Sequence, residues 1–205
     1  MSVKIVDTAG SNELQIDVAG CAKVKPGLQA IGAAGGYYTV TGGSTAVVAA
    51  ALAANTSLMS MRMSGASARK AYVVKMRFNM TPATLGAAAG VAGSLAIQRF
   101  NTATPTGGNA RTANRMNLTT GTTTDITDIR DSNAALTVTS VVFTTYVAQT
   151  QIPLFVASAG GFEWIFEPEY PVILDAGEGL VLRTIVALAA TQTWMYSYTF
   201  HWHEE

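Results

Sequence analysis

The strictest alternation in the chain runs over residues 193–203. Trp194, Tyr196, Tyr198, Phe200 and Trp202 fall at one parity, and Met195, Ser197, Thr199, His201 and His203 at the other. Successive side chains of a strand point to opposite faces, so this run predicts a β-strand carrying five large rings on one face, which marks a core or an interface. Upstream, residues 180–188 are apolar at both parities and rich in Val, Ile and Leu, the pattern of a strand covered on two sides. Residues 170–174 form a shorter run before it, separated by Asp175-Ala176-Gly177-Glu178-Gly179, where glycine supplies the freedom for a tight reversal. Residues 168–205 therefore read as three consecutive strands, and the rest of the chain is fitted to the sheet they predict.

Shorter periods elsewhere agree. Residues 3–6 and 13–18 alternate and read as strands in the subunit's own sheet or as an arm reaching onto a neighbour. Residues 21–36 are a Gly- and Ala-rich connector with a turn at Lys25-Pro26-Gly27, and residues 37–41 predict a strand closed by Gly42-Gly43. Residues 45–54, almost pure Ala and Val, fit a helix or a buried strand, and strand is preferred. Met59, Met61 and Met63 line one side of residues 56–63 as flexible core filling. Residues 71–80 predict a half-solvated strand with Tyr72, Val74, Met76, Phe78 and Met80 facing one way and Ala71, Val73, Lys75, Arg77 and Asn79 the other. The Gly-Ala block at 84–94 has the small-residue spacing of packed membrane helices, yet it is too short to span and its glycines work against a soluble helix, so it reads as a connection. Further strands are expected at 95–100, 135–149 and 162–166, with loops at 101–115 and 119–131. So many strands with hardly any helical period predict an all-β sandwich or barrel. A chain of 205 residues suits a single domain, with 1–35 as arm and connector and 36–205 as the β-sandwich.

Composition narrows the function classes. Charged residues make up 13% of the chain, about half the roughly 25% usual for soluble proteins. Its 13 basic and 13 acidic residues cancel, so no long-range field draws nucleic acid or an anionic membrane, and neither partner is expected. A neutral surface of Ala, Thr, Ser and Gly suits a subunit whose faces are covered by copies or partners. Cys21 stands alone, which excludes an intramolecular disulfide and a cysteine metal cluster. The first residues lack a basic segment followed by an apolar core, so no secretory signal is expected. No stretch approaches the ~20 apolar residues of a spanning helix.

Candidate chemistry is sparse. His201 and His203 share one strand face at the spacing β-sheet metal sites use, and Glu204 or Glu205 offers a carboxylate, but no third or fourth ligand is evident. A pair of solvent-facing or interface histidines is preferred; if the pair sits at an oligomer axis, protonation below pH ~6.5 weakens assembly by like-charge repulsion. Asp125, Asp128 and Asp131 sit three apart without the spacing of a twelve-residue calcium loop, and Asp128 with Arg130 is expected to fix its loop by ion pairing. Arg183, on the strand apolar at both parities, needs a partner, with Glu178, Glu163, Glu167 and Asp128 as candidates. There is no nucleophile elbow, no phosphate loop and no zinc-protease histidine pair, and no cofactor is expected. A glycosidase pair among Glu163, Glu167, Glu169 and Glu178 would be defined by distance in space. An enzyme is disfavoured.

Several segments together carry a resemblance. Asp128-Ile129-Arg130, Asn133-Ala134-Ala135-Leu136-Thr137, Tyr170-Pro171-Val172-Ile173-Leu174, Gly177-Glu178-Gly179-Leu180-Val181-Leu182-Arg183, Thr193-Trp194 and the closing Trp202-His203-Glu204, with Leu95-Ala96-Ile97-Gln98-Arg99-Phe100 and Gly107-Gly108, resemble a recurrent virion structural protein of tailed bacteriophages. The resemblance covers about residues 70–205 and rests on turn-and-strand signatures. It implies a jelly-roll-like antiparallel β-sandwich assembling on the capsid surface as a trimeric decoration (cement) protein whose partners are sister subunits and the major capsid protein. Its closing pair is His203-Glu204 where a small residue is expected before the acid. The competing class is a tail fibre or receptor-binding module that recognises host glycans through exposed aromatics such as Tyr37, Tyr38 or Trp164. A metal-dependent sandwich enzyme of the cupin kind is a third class, which would require bound metal.

Overall fold

The computed structural model describes residues 4–6, 13–16, 22–23, 36–45, 47–48, 52–84, 93–101, 104–116, 123–131, 136–138, 146–152, 160–166, 171–187 and 193–205. The described chain is all β, with two antiparallel sheets packed against each other as a sandwich. Its strands are β1 (Lys4–Val6), β2 (Glu13–Ile16), β3 (Ala22–Lys23), β4 (Gly36–Gly43), β5 (Val47–Val48), β6 (Ser57–Met63), β7 (Ala71–Thr84) and β8 (Gly93–Asn101). They continue as β9 (Asn109–Ala110), β10 (Asn114–Arg115), β11 (Ile126–Asp131), β12 (Tyr146–Ile152), β13 (Gly160–Ile165), β14 (Val172–Leu174), β15 (Glu178–Thr184) and β16 (Thr193–Glu204). One sheet has the order β10-β4-β16-β7-β13, with β14 also on β7 and β5 on β16, and the other the order β12-β8-β15-β6-β11-β9. β1, β2 and β3 pair with one another in a separate sheet.

The pairing is nested. β4 pairs with β16, β6 with β15, β7 with β13 and β8 with β12, so the chain is one long hairpin whose successive rungs alternate between the two sheets. The segment between β8 and β12 carries an insert. Its β9 and β11 extend one sheet beyond β6, while β10 extends the other beyond β4. Only Arg111, Thr112 and Ala113 separate β9 from β10, so the insert bridges the two sheets along one side of the sandwich.

The expected alternation of β16 is realised in full: Trp194, Tyr196, Tyr198, Phe200 and Trp202 are all buried in the main core, between β4 and β7. Met59, Met61 and Met63 of β6 meet them there, together with Met76 and Met80 of β7. On β15, Leu180 and Leu182 face this core, while Val181 packs on the other side with Phe100 and Val138. The strand is covered on both faces, as its two-parity apolar run predicts.

Four expectations change. Residues 168–205 do not build one sheet: β14 and β16 both pair with β7, whereas β15 lies in the opposite sheet between β8 and β6. On β7 the buried face is Ala71 and Val73, then Met76, Phe78 and Met80. The register of β7 against β16 shifts between His201 and Trp202, skipping Val74, and this bulge reverses the parity halfway along the strand. The 119–131 loop ends in strand β11; of the 135–149 run the structure describes an isolated bridge from Thr137 to Thr106 and strand β12 from Tyr146, and residues 139–145 lie outside the described residues. Residues 45–54 contribute the two-residue strand β5, and the Gly-Ala residues 85–92 lie outside the described residues. Among the described residues no helix is long and apolar enough to cross a membrane.

Candidate functional site

With its odd-numbered partners turned away from the core, β16 places a second set of side chains on the outer face of its sheet. Cross-strand register sets His203 opposite Tyr37 of β4 and Tyr72 of β7. The His203 ring lies parallel to Tyr72, with centroids 4.8 Å apart and an interplanar angle of 2°, and tilts against Tyr37 at 5.5 Å. Two positions earlier, His201 Nδ1 lies 3.3 Å from the Met116 sulfur. Met116 is 54% exposed, Met195 43%, and Ile165 at the β13 edge 67%. Lys75 and Arg77 converge on Glu163, whose carboxylate offsets one of their two charges. The result is a surface of rings, methionine, threonine and serine with few charges, the composition of a contact face.

Both histidines are held below their usual pKa of 6.5. Burial is the main cause at each; Lys75 and Arg77 add to it at His201, while Glu205, 3.4 Å from His203 Nε2, opposes it. His201 therefore faces a methionine and His203 two tyrosines and Glu205. Among the described residues no group of three or more His, Cys, Asp or Glu side chains is placed to hold a metal ion.

The aspartates separate rather than converge. Asp125 pairs with Arg69 and accepts from Ser67, 2.6 Å away, and the guanidinium holds its carboxyl below the usual range. Asp128 pairs with Arg130 at 2.6 Å, and Arg130 also donates to the Gly107 carbonyl, so this pair fixes the loop before β9 against β11. Asp131 pairs with Arg111 at 2.7 Å. Arg183 is half-buried near the end of β15. The acids expected to serve it form their ion pairs elsewhere, Glu178 with Arg99, Glu163 with Lys75 and Arg77, and Asp128 with Arg130, while Glu167 lies outside the described residues. Of the aromatics expected at the surface, Tyr38 is buried, stacked on Trp202 at 5.7 Å, and Trp164 packs half-buried against the core.

Sequence reasoning misses Glu204 as a structural group. Its carboxylate is fully buried and accepts from the Thr124 hydroxyl, the Asp125 and Ile126 amides and, at 3.0 Å, Trp202 Nε1, with Arg69 Nη1 3.3 Å away. The one available signal was an acid at the buried parity of an otherwise aromatic strand.

Comparison of the chain with family models, with curated proteins and with solved structures finds no match.

Proposed function

We propose that this chain is a non-enzymatic structural subunit of a tailed-bacteriophage virion, a decoration (cement) protein that assembles with sister subunits as a trimer and binds the shell of the major capsid protein. The observation that carries the proposal is the outer face of the β10-β4-β16-β7-β13 sheet. Rings, methionine and hydroxyl side chains span three neighbouring strands there, in a chain whose charged residues are 13% of the total. Such a face is a liability in a free monomer and an asset in a repeated contact, where a stable interface buries about 800 Å² per partner.

The topology supports the same reading. Eight strands in two sheets, nested as rungs of one folded hairpin, are the order we read as a jelly roll, an architecture used for capsid domains. The sequence resemblance to virion structural proteins adds the particle as the site of assembly. Localisation on the capsid surface follows from that role.

Native mass measurement of the purified chain, followed by mixing with heads that lack it, tests the proposal. A trimer that binds heads at high copy and raises their resistance to heat or low salt supports it. A monomer, or an oligomer that ignores heads and binds host cells, overturns it in favour of a receptor-binding module.

A further inference from the structure

The structure separates the two histidines that the sequence pairs, and gives His201 a sulfur in place of His203. His201 is fixed between β4 and β7 by its ladder positions opposite Thr39 and Lys75. Met116 follows β10 directly, and its amide donates to the Tyr37 carbonyl at 2.8 Å, which fixes its backbone beside β4. The two side chains then meet across β4, with His201 Nδ1 3.3 Å from the Met116 sulfur. With the ring proton on Nε2, a nitrogen lone pair faces a sulfur lone pair there, an arrangement that a shared cation stabilises. For bonds of about 2.0 Å to nitrogen and about 2.3 Å to sulfur, donors 3.3 Å apart subtend about 100° at a common ion, close to a tetrahedral angle.

The donor set decides which ion fits. A thioether is a soft, uncharged donor of the kind that holds Cu(I), and imidazole suits copper as well. Burial first, then Lys75 and Arg77, hold His201 below its ordinary pKa, so the ring is neutral at neutral pH and its lone pair is available. The same two cations repel a divalent ion twice as strongly as a monovalent one. Glu163, the carboxylate beside them, is already engaged by both. We infer that His201 Nδ1 and Met116 Sδ form a site for a soft monovalent cation, Cu(I), with solvent completing its coordination. Met116 is exposed, so an ion reaches the sulfur from outside. Both donors belong to one chain, and the site therefore does not depend on assembly.

Ag(I), which shares the charge and closed shell of Cu(I) and is stable in air, is the probe. The full chain carries Cys21→Ser for this test, because its single thiol is a stronger soft ligand and would take the ion first. Titration in chloride-free buffer is followed by NMR of isotope-labelled methionine methyls and histidine ring nitrogens. Expected is a saturable one-to-one shift of the Met116 methyl and of His201 Nδ1, with Met195, exposed on the same face, unmoved. Met116→Leu keeps the side-chain volume and removes the donor. It weakens binding at least about tenfold, the usual cost of losing even an outer-shell partner of a metal. His201→Asn does the same, whereas Met195→Leu leaves binding unchanged. Equal shifts at Met116 and Met195, binding undiminished by Met116→Leu, or displacement of Ag(I) by an equal amount of Zn(II) overturns the inference. So does the lack of any saturable shift, which leaves the contact as a hydrogen bond from Nδ1–H to the sulfur.

Discussion

Glu204 and Asp131 are both fully buried carboxylates, one at the end of β16 and one at the end of β11, yet their surroundings differ. Glu204 has both oxygens served: Thr124, two backbone amides, the Trp202 indole and the Arg69 guanidinium converge on it. Asp131 has one. Its Oδ2 accepts from Arg111 at 2.7 Å and from the Tyr198 hydroxyl at 3.1 Å, whereas its Oδ1 is buried with no hydrogen-bond partner among the described residues. A buried charge is tolerable only when its lone pairs are satisfied, so Glu204 acts as a finished anchor for the start of β11 and Asp131 as an incomplete one for its end.

Removing the finished anchor has the largest expected effect. Glu204→Ala leaves the Trp202 indole, the Asp125 and Ile126 amides and the Thr124 hydroxyl without their acceptor, and breaking a buried pair of this kind costs about 3–5 kcal/mol. Chemical denaturation of Glu204→Ala beside Asp131→Ala measures the contrast, with the Glu204 variant the less stable. Equal losses would end the distinction between the two anchors. Next comes Gly42→Ala. A Cβ at position 42 would run into the Tyr198 hydroxyl and stand 2.7 Å from Asp131 Oδ2, so the added methyl wedges open the weaker anchor, at about 1–3 kcal/mol for overpacking. The same denaturation experiment reads it, and an unchanged midpoint would show that the Asp131 pair gives way freely.

The sequence displays what is decided within one strand and hides what is decided between strands. The ring face of β16 and the two covered faces of β15 are legible because alternation and its absence are local properties. On β7 the face carrying Met76, Phe78 and Met80 is legible, but residues 71–74 are read onto the wrong faces because a single bulge at Val74 reverses the parity there, and nothing in residues 71–80 marks the position. β9, β10 and β11 are short, and become strands because β4 offers a backbone partner to β10, β6 to β11, and β11 in turn to β9. The Tyr37-His203-Tyr72 stack and the donors around Glu204 depend on register across the sheet and on contacts about 80 residues apart, a kind of proximity that periodicity does not encode. Among the candidate residues, Asp128 and Arg130 meet as expected because they are two positions apart on one strand, while the partners expected for Arg183 rest on charge alone, and Glu178, Glu163 and Asp128 pair with other cations.

Tyr198→Phe probes the weaker anchor more gently. It removes one of the two donors to Asp131 Oδ2 without opening space, and the expected loss is about 1 kcal/mol, the net worth of one hydrogen bond. Burial and the Asp131 charge raise the Tyr198 pKa well above its ordinary value, so the hydroxyl stays protonated and the bond persists throughout the working pH range. A loss as large as that of Asp131→Ala would mean that Tyr198, and not Arg111, carries the anchor.

The smallest effect expected is that of pH, and it separates the outer face from the insert. Both histidines have folded-state pKa values below 6.5, so as pH falls the unfolded chain takes up their protons first. Stability is therefore full above pH 6.5 and declines below it until the folded values are reached. Asp125 is shifted in the same direction from 3.8 by Arg69, so its contribution is full above that pH and is lost as pH falls through its lower folded value. Thermal melts across pH then show a first decline belonging to the outer face and a second, more acid one belonging to the insert. His201→Asn with His203→Phe abolishes the first and leaves the second, since phenylalanine keeps a ring between Tyr37 and Tyr72 but cannot titrate. If the first decline survives that double change, groups other than the two histidines set it, and the outer face has no part in the pH response.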